Sequence, residues 1–384
     1  MTHVLHLTTW HPVVDGVSGI FVLEQCAALQ AAGARVGLIF SRIEGLRSAT
    51  ARNFARGLPG FVRTQQPVPT LGFKSWNLPG AAGLVGRFNT WMLGNRYAAY
   101  EQSMGRPDIL HAHAALEAGP AARRIAARIG REYVVTEHSS EILLARLTPE
   151  RKAAAREVYA DAHRVIAVSS ALADRISDIC PSARITVVGN LVREAVFALR
   201  SHEGRVGERL MVVSIGGLDP GKRTAQALEA LAGLPAGLRG KIDFHIVGDG
   251  PQRARLEALA RASELATRFH GKLPHAEAMA LLAGADLLVH ASSFETFGIV
   301  LAEAMALGIP VVATRCGGPE DFVTDRSGLL VPVDDVDALR AAIRQVLEDL
   351  ETWKSRSSDI SADARARFHE TAVGAAVMET YPCL

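Results

Sequence analysis

The sequence predicts an α/β protein of two domains, each a parallel sheet covered on both faces by helices, and three observations carry that reading. At 384 residues the chain exceeds the roughly 250–300 residues at which single hydrophobic cores stop growing. Short apolar runs rich in β-branched residues alternate throughout with Ala, Leu and Arg patterns of helical period, as parallel strands joined by crossover helices require. The composition, 48% hydrophobic and 21% charged with 34 glycines, excludes disordered, collagenous and disulfide-stapled classes.

In chain order, Val4–Leu7, Val36–Phe40, Ile109–His111, Tyr133–Thr136 and Val165–Val168 predict strands of a first sheet. Leu210–Ile215, Phe244–Val247, Leu287–His290 and Val311–Ala313 predict strands of a second. The boundaries that follow are a first domain at 1–189, a linker at 190–209 where charge and glycine replace periodicity, and a second domain at 210–360. Residues 361–384 carry a helical pattern and are expected to return to the first domain.

Four scattered cysteines, Cys26, Cys180, Cys316 and Cys383, contain no Cys-x-x-Cys pair, so neither a disulfide framework nor a structural zinc site is suggested. The opening Met-Thr-His-Val-Leu-His-Leu has no basic region ahead of an apolar core, and the apolar runs stop short of the ~20 residues of a membrane span. A cytoplasmic protein is expected. A net charge of +2 gives no argument for nucleic acid, but its distribution is uneven. Arg42, Arg47, Arg52, Arg56, Arg63, Lys74, Arg87, Arg96 and Arg106 face only Glu44 and Glu101 over that stretch, a local balance of +7 that leaves −5 elsewhere. Phe54, Phe61, Phe73, Trp76, Leu78, Trp91 and Met92 are interleaved with these cations. Such a mixture suits peripheral attachment to an anionic membrane surface, and it equally suits core residues beside a solvated basic face.

The segment from Ser292 to Ala306 carries the most chemistry. It leaves the end of an apolar strand and opens a helix, the place where open α/β sheets bind ligands. Glu295 and Glu303 offer carboxylates to sugar or ribose hydroxyls, and the amides of Gly298, Ile299 and Val300 lie at the positive helix end, where an anion is stabilised. Two isolated glutamates would read as solvated surface residues. Gly298 beside two aromatics, and Ala302, Ala304 and Ala306 before Gly308-Ile309-Pro310, fit a tight ligand loop instead.

This segment resembles the two-glutamate signature, with seven residues between the acids, of glycosyltransferase family 4 and its retaining GT-B relatives. Phe244 to Pro251 is similar to the family's strand and glycine turn, Phe269 to Leu273 to its loop against the nucleotide base, and Gly308 to Thr314 with Gly317-Gly318-Pro319-Glu320 to the next strand and loop. Asp219-Pro220-Gly221-Lys222-Arg223 resembles the loop whose lysine neutralises the donor diphosphate. The family commonly has an arginine four to five residues earlier, where this chain has Gly217, which leaves the diphosphate to Lys222 with Arg223. In the first half, Asp15 to Phe21 resembles the family's glycine loop, and Thr136-Glu137-His138 the segment whose histidine faces the transferred sugar. Asn190-Leu191-Val192-Arg193 carries Arg193 where an acid is common.

The resemblance implies GT-B architecture, two Rossmann-like domains facing a central cleft, the first on the acceptor side. It implies a retaining hexosyltransferase that uses a nucleotide-diphosphate sugar, needs no metal or other cofactor, and serves a lipid-linked or polysaccharide acceptor in bacterial cell-surface glycan synthesis. Glu295, His138 and Lys222 are the implied catalytic residues. Gly19, Arg223, Gly248, Lys272, Leu273, Phe297, Gly298, Ile299, Val300 and Glu303 are the implied donor-binding residues. A nucleotide-sugar epimerase of the same fold and a non-catalytic glycosyltransferase partner stand as alternatives. An NAD-dependent dehydrogenase is disfavoured, because Arg253 stands where the third glycine of Gly-x-Gly-x-x-Gly would follow Gly248 and Gly250.

Overall fold

The computed structural model describes residues 1–13, 18–45, 58–65, 68–76, 84–199 and 209–383. The chain divides into two units, Met1–Leu191 with Glu370–Leu384, and Val192–His369.

In the first unit the strands are β1 (His3–Thr8), β2 (Arg35–Glu44), β3 (Gly60–Thr64), β4 (Thr70–Trp76), β5 (Ile109–His113), β6 (Glu132–Glu137), β7 (Arg164–Ala167) and β8 (Ile185–Val187). Among the described residues they form one sheet in the order β3-β4-β2-β1-β5-β6-β7-β8. Each neighbouring pair is parallel except β3 with β4. All six residues of β1 are buried, because helices cover both faces of a parallel sheet, and its polar members His3, His6 and Thr8 are enclosed with the apolar ones. The hairpin β3–β4 and the helix Val85–Met104 occupy much of the basic stretch, which the sequence reading had not resolved into elements.

Helix Ile20–Ala31 buries Val22, Gln25, Cys26, Ala28 and Leu29, a stripe of helical period. Helix Glu370–Met378 lies against it, with Val373, Val377 and Tyr381 joining the same core. Gly374 permits the close approach, since a Cβ there would stand 3.1 Å from the Ala28 carbonyl oxygen. The returning segment therefore begins at 370, nine residues later than the periodicity suggests, because helix Ser357–Phe368 packs on helix Ile299–Ala306 in the second unit.

The second unit holds β9 (Leu210–Ile215), β10 (Ile242–Val247), β11 (Ala266–Gly271), β12 (Leu287–His290), β13 (Val311–Thr314) and β14 (Gly328–Val331). Their order is β11-β10-β9-β12-β13-β14, parallel throughout, the doubly wound order whose direction reverses between its first and fourth strands. Phe269–Gly271, expected in a loop, closes β11 instead. Helix Val336–Glu348 shows why such helices form and dock. Asp335 caps it by accepting from the Ala338 amide, and Leu339, Ala342, Ile343, Val346 and Leu347 make one apolar stripe. Each fully buried side chain of that size contributes about 1.5–3 kcal/mol.

The division between the units falls between Leu191 and Val192, inside the expected linker at 190–209, and residues 192–199 belong to the second unit. The Val192 amide donates to the Phe368 carbonyl at 2.7 Å and Val192 bridges His369 in parallel register. Glu194 accepts from Arg365 at 2.7 and 3.1 Å and from His369 at 2.6 Å. Positions 200–208 of the expected linker lie outside the described residues.

Candidate functional site

Strands β9 and β12 are neighbours at the point where the strand order of the second sheet reverses, so the loops leaving their carboxyl ends flank one crevice. Those loops are locked together. The Gly221 carbonyl accepts from the Ser293 amide at 2.8 Å and the Ser293 hydroxyl at 2.9 Å, and the Phe294 ring lies so close that a Cβ on Gly221 would meet it at 2.9 Å. Lys222 is thereby carried to the other loop, and its Nζ donates to Glu295 Oε1 at 2.5 Å.

The same carboxylate oxygen lies 2.6 Å from His290 Nε2, a ring at the end of β12. The Glu295 backbone is held as firmly, its amide donating to the Cys316 carbonyl at 2.8 Å and its carbonyl accepting from the Gly318 amide at 2.9 Å. Burial alone would raise the Glu295 carboxyl, but the hydrogen bond and charge of His290, then Lys222, outweigh it and hold the group at about 2. The result is a carboxylate held in its ionised form at neutral pH beside a cation that remains 31% exposed and available to an incoming anion. His290 is a site residue that sequence reasoning missed. In the sequence it is only the last residue of the predicted strand Leu287–His290, and a polar side chain ending that strand is the available signal.

Gly298 adopts φ 91° and opens helix Ile299–Ala306, which no side chain caps. A residue with a Cβ pays a steric penalty in that left-handed conformation. The amides of Gly298, Ile299 and Val300 thus stand at an uncapped helix start. Phe297, expected to line the donor site, is 3% exposed and packs on Phe322 and Phe368 at ring distances of 5.1 and 5.5 Å. It is a core residue that anchors the loop. Gly248, at φ 136°, brings its backbone against β9, since a Cβ would stand 1.8 Å from the Gly216 carbonyl oxygen. Lys272 is exposed and Leu273 half-buried after β11, two strands from β9 and so about 10 Å across the sheet.

Arg223 does not join Lys222. Its backbone is left-handed at φ 50°, and its guanidinium pairs with Asp334 at 3.1 Å, which Gln226 also holds. With Gly217 in place of an arginine, Lys222 is the one expected phosphate cation that the structure brings to Glu295. Glu303 is nearly buried, and His275 Nε2 meets its Oε1 at 2.6 Å.

The first unit carries the other expected residues. Gly19, at φ 79°, begins helix Ile20–Ala31 without a side-chain cap. His138 follows β6, with Phe21 and Trp10 rings 4.6 and 5.9 Å from its own, so the structure brings the glycine loop and this histidine into one neighbourhood. Glu137 orients the turn, accepting from the His138 and Ser139 amides at 2.9 Å, the Ala115 amide at 2.9 Å and the Tyr159 hydroxyl at 2.7 Å. Behind His138 lie buried imidazoles, His113 with its Nδ1 3.4 Å from His138 Nε2, and His6 with its Nδ1 3.0 Å from His113 Nε2. The expected Asp15–Val17 part of the glycine loop lies outside the described residues.

Comparison with known proteins gives this arrangement its family. The profile described as Glycosyl transferases group 1 matches residues 197–366, and that described as Glycosyltransferase Family 4 matches residues 18–195. The chain is 32% identical over 352 residues to 2-deoxystreptamine N-acetyl-D-glucosaminyltransferase of Streptomyces fradiae, covering 81% of each protein. Among solved structures, sucrose-phosphate synthase from Thermosynechococcus elongatus superposes with a TM-score of 0.79 at 20% identity over 99% of this chain and 98% of that one. HepE of Anabaena, solved in complex with UDP, superposes with a TM-score of 0.71 at 22% identity over 99% of both chains. The crevice at β9 and β12 therefore sits in a protein of GT-B fold that belongs to the family 4, group 1 glycosyltransferases.

Proposed function

We propose that this glycosyltransferase moves a hexose, with retention of anomeric configuration, from a nucleotide-diphosphate sugar to a lipid-linked or polysaccharide acceptor in bacterial cell-surface glycan synthesis. The carrying observation is the cluster of Lys222, Glu295 and His290 at the strand-order reversal. A cation held in place by a buried carboxylate, with part of its surface still open, is already positioned to meet a diphosphate, which is electrostatic preorganisation. In this reading, charge on the leaving diphosphate is met by Lys222 and by the amides from Gly298 to Val300, with no metal or cofactor invoked. Glu295 and His138 position the sugar so that the acceptor oxygen arrives from the leaving-group side. Glu303 takes the ribose, and Gly248, Lys272 and Leu273 border the base. The binding of UDP by HepE supports a nucleotide donor.

Radiolabelled UDP-, GDP- and ADP-sugars offered with polyprenyl-phosphate and oligosaccharide acceptors test the proposal. Transfer with the anomeric configuration of the donor is the expected result. Interconversion of the sugar without transfer would identify an epimerase, and binding without turnover a non-catalytic partner.

Attachment to an anionic membrane is part of the same proposal. Phe61 and Trp91 are 65% and 56% exposed, and a ladder of rings runs Phe61, Phe73, Phe88, Trp91 at 5.5–5.7 Å spacing. Arg96 lies 4.3 Å over the Phe61 ring, and Arg63 and Arg87 are exposed nearby in the chain. Met92 is buried and withdraws from the expected set. Arg47, Arg52, Phe54, Arg56 and Leu78 lie outside the described residues, among which no helix is long and apolar enough to cross a membrane. Each basic group near an anionic surface contributes about 1 kcal/mol. Co-sedimentation with vesicles should rise with phosphatidylglycerol content, fall with salt, and weaken in Phe61→Ser/Trp91→Ser and Arg63→Ser/Arg87→Ser. Equal recovery in the supernatant with neutral and anionic vesicles at low salt would sink the membrane attachment.

A further inference from the structure

A second polar chain runs through the second unit, from Arg193 through His275 to Glu303. Glu303 is 8% exposed inside helix Ile299–Ala306, and its Oε1 lies 2.6 Å from His275 Nε2. His275 opens helix His275–Ala283, and the Arg193 guanidinium meets the other ring nitrogen, Nδ1. A guanidinium has donors and no acceptor. Nδ1 must therefore present its lone pair, which leaves the single ring proton on Nε2, aimed at Glu303. The ring donates to Glu303 through Nε2, and the hydrogen bond on one of its nitrogens decides what the other can offer. Glu303, with Oε1 engaged, keeps Oε2 for another donor.

We infer that Arg193 and His275 are positioning residues for Glu303 and set how tightly the donor ribose is held, an inference that rests on reading Glu303 as the ribose acceptor. Arg193 is anchored for the purpose. It stands between Val192, bonded to the Phe368 carbonyl, and Glu194, which holds Arg365 and His369. The ribose carboxylate is thus tied through two side chains to the place where the chain enters the second unit. Arg193 thus has a task that an acid at its position could not perform, because a carboxylate cannot donate to Nδ1.

The test is titration calorimetry with UDP, GDP and ADP, each beside its 2′,3′-dideoxy counterpart, and with inorganic pyrophosphate as a probe of the Lys222 side. Wild type should hold its best ribonucleotide about tenfold or more above the dideoxy form, the scale of one charge-assisted hydrogen bond. Glu303→Ala should abolish that ratio, and His275→Ala and Arg193→Ala should each reduce it to about threefold or less, with pyrophosphate affinity retained. His275→Gln places an amide N–H where Nε2 stands and should keep the ratio. Because an amide has no tautomer to choose, adding Arg193→Ala to His275→Gln should change little. An undiminished ratio in His275→Ala, with Glu303→Ala losing it, overturns the inference and leaves the ribose role of Glu303 standing. Equal binding of ribo and dideoxy forms by wild type and Glu303→Ala overturns that role and the inference with it. Parallel loss of pyrophosphate binding in His275→Ala and Arg193→Ala would mark a structural role and overturn it as well.

Discussion

Replacing Lys222 with Ala should lower sugar transfer by about two to three decades at saturating donor while the protein stays folded, because one preorganised charge-stabilising contact is worth about 3–4 kcal/mol in the transition state. The size of the effect follows from the absence of a substitute. Gly217 contributes no side chain, and Arg223 is turned away to Asp334. The fold should survive because Lys222 lies in a short turn with a partly exposed side chain and leaves Glu295 still paired with His290. Glu295→Ala should lose comparable activity by freeing Lys222 from its geometry and removing the carboxylate proposed to face the sugar. Melting curves confirm folding, and initial rates with a labelled donor measure the loss. Wild-type rates in both folded variants would refute the assignment of this crevice as the active site.

Acidification from pH 7 to 5 should destabilise the first unit before the second. His6 is fully buried with no partner for Nε2, and burial drops its pKa to about 3, against about 6.5 in an unfolded chain. Between those values the unfolded chain binds the extra proton, so the stabilisation is complete above pH 6.5 and is lost as pH falls. His6 alone removes about 2 kcal/mol by pH 5. His111 and His113, also fully buried, are held well below the usual range by burial and then by neighbouring imidazoles, and act in the same direction. Glu137 opposes them, since burial raises its carboxyl, but it is one group against several.

In the second unit, His245 and His270 are also lowered by burial, with Asp243 partly offsetting the shift. Glu295 is depressed instead, so its contribution stands above pH 4.5 and fades only toward 2. Hydrogen exchange followed by peptide mass should therefore show residues 109–138 losing protection at pH 5 while residues 287–314 keep theirs, and His6→Leu should reduce the difference. Equal protection of both peptides at pH 5 and 7, after correction for intrinsic exchange, would contradict this account.

Parallel strands with longer apolar runs, such as Val36–Phe40 and Phe244–Val247, were legible from periodicity, because a strand covered on both faces is largely apolar, though the short β8 and β14 were missed. Strands β3 and β4 were not legible either. Each carries a cation, β3 at the sheet edge and β4 beside it, and a pattern such as Thr70-Leu71-Gly72-Phe73-Lys74 reads as part of a basic stretch until its partner strands are in place. The two-glutamate segment and the lysine loop stood out by residue type and spacing, since phosphate and hydroxyl recognition needs charges, carboxylates and bare amides near a helix start. Which of those side chains meet is a different matter. Lys222 and Glu295 lie 73 residues apart and touch because β9 and β12 are neighbours, whereas Arg223, one residue on, is sent to Asp334 by a left-handed backbone. Local pattern carries the identity of strands, helices and ligand loops because those depend on contacts a few residues away. Strand order, register and the direction of each side chain arise from long-range packing, and they alone placed His290 on Glu295, Phe297 in the core and Arg193 behind His275.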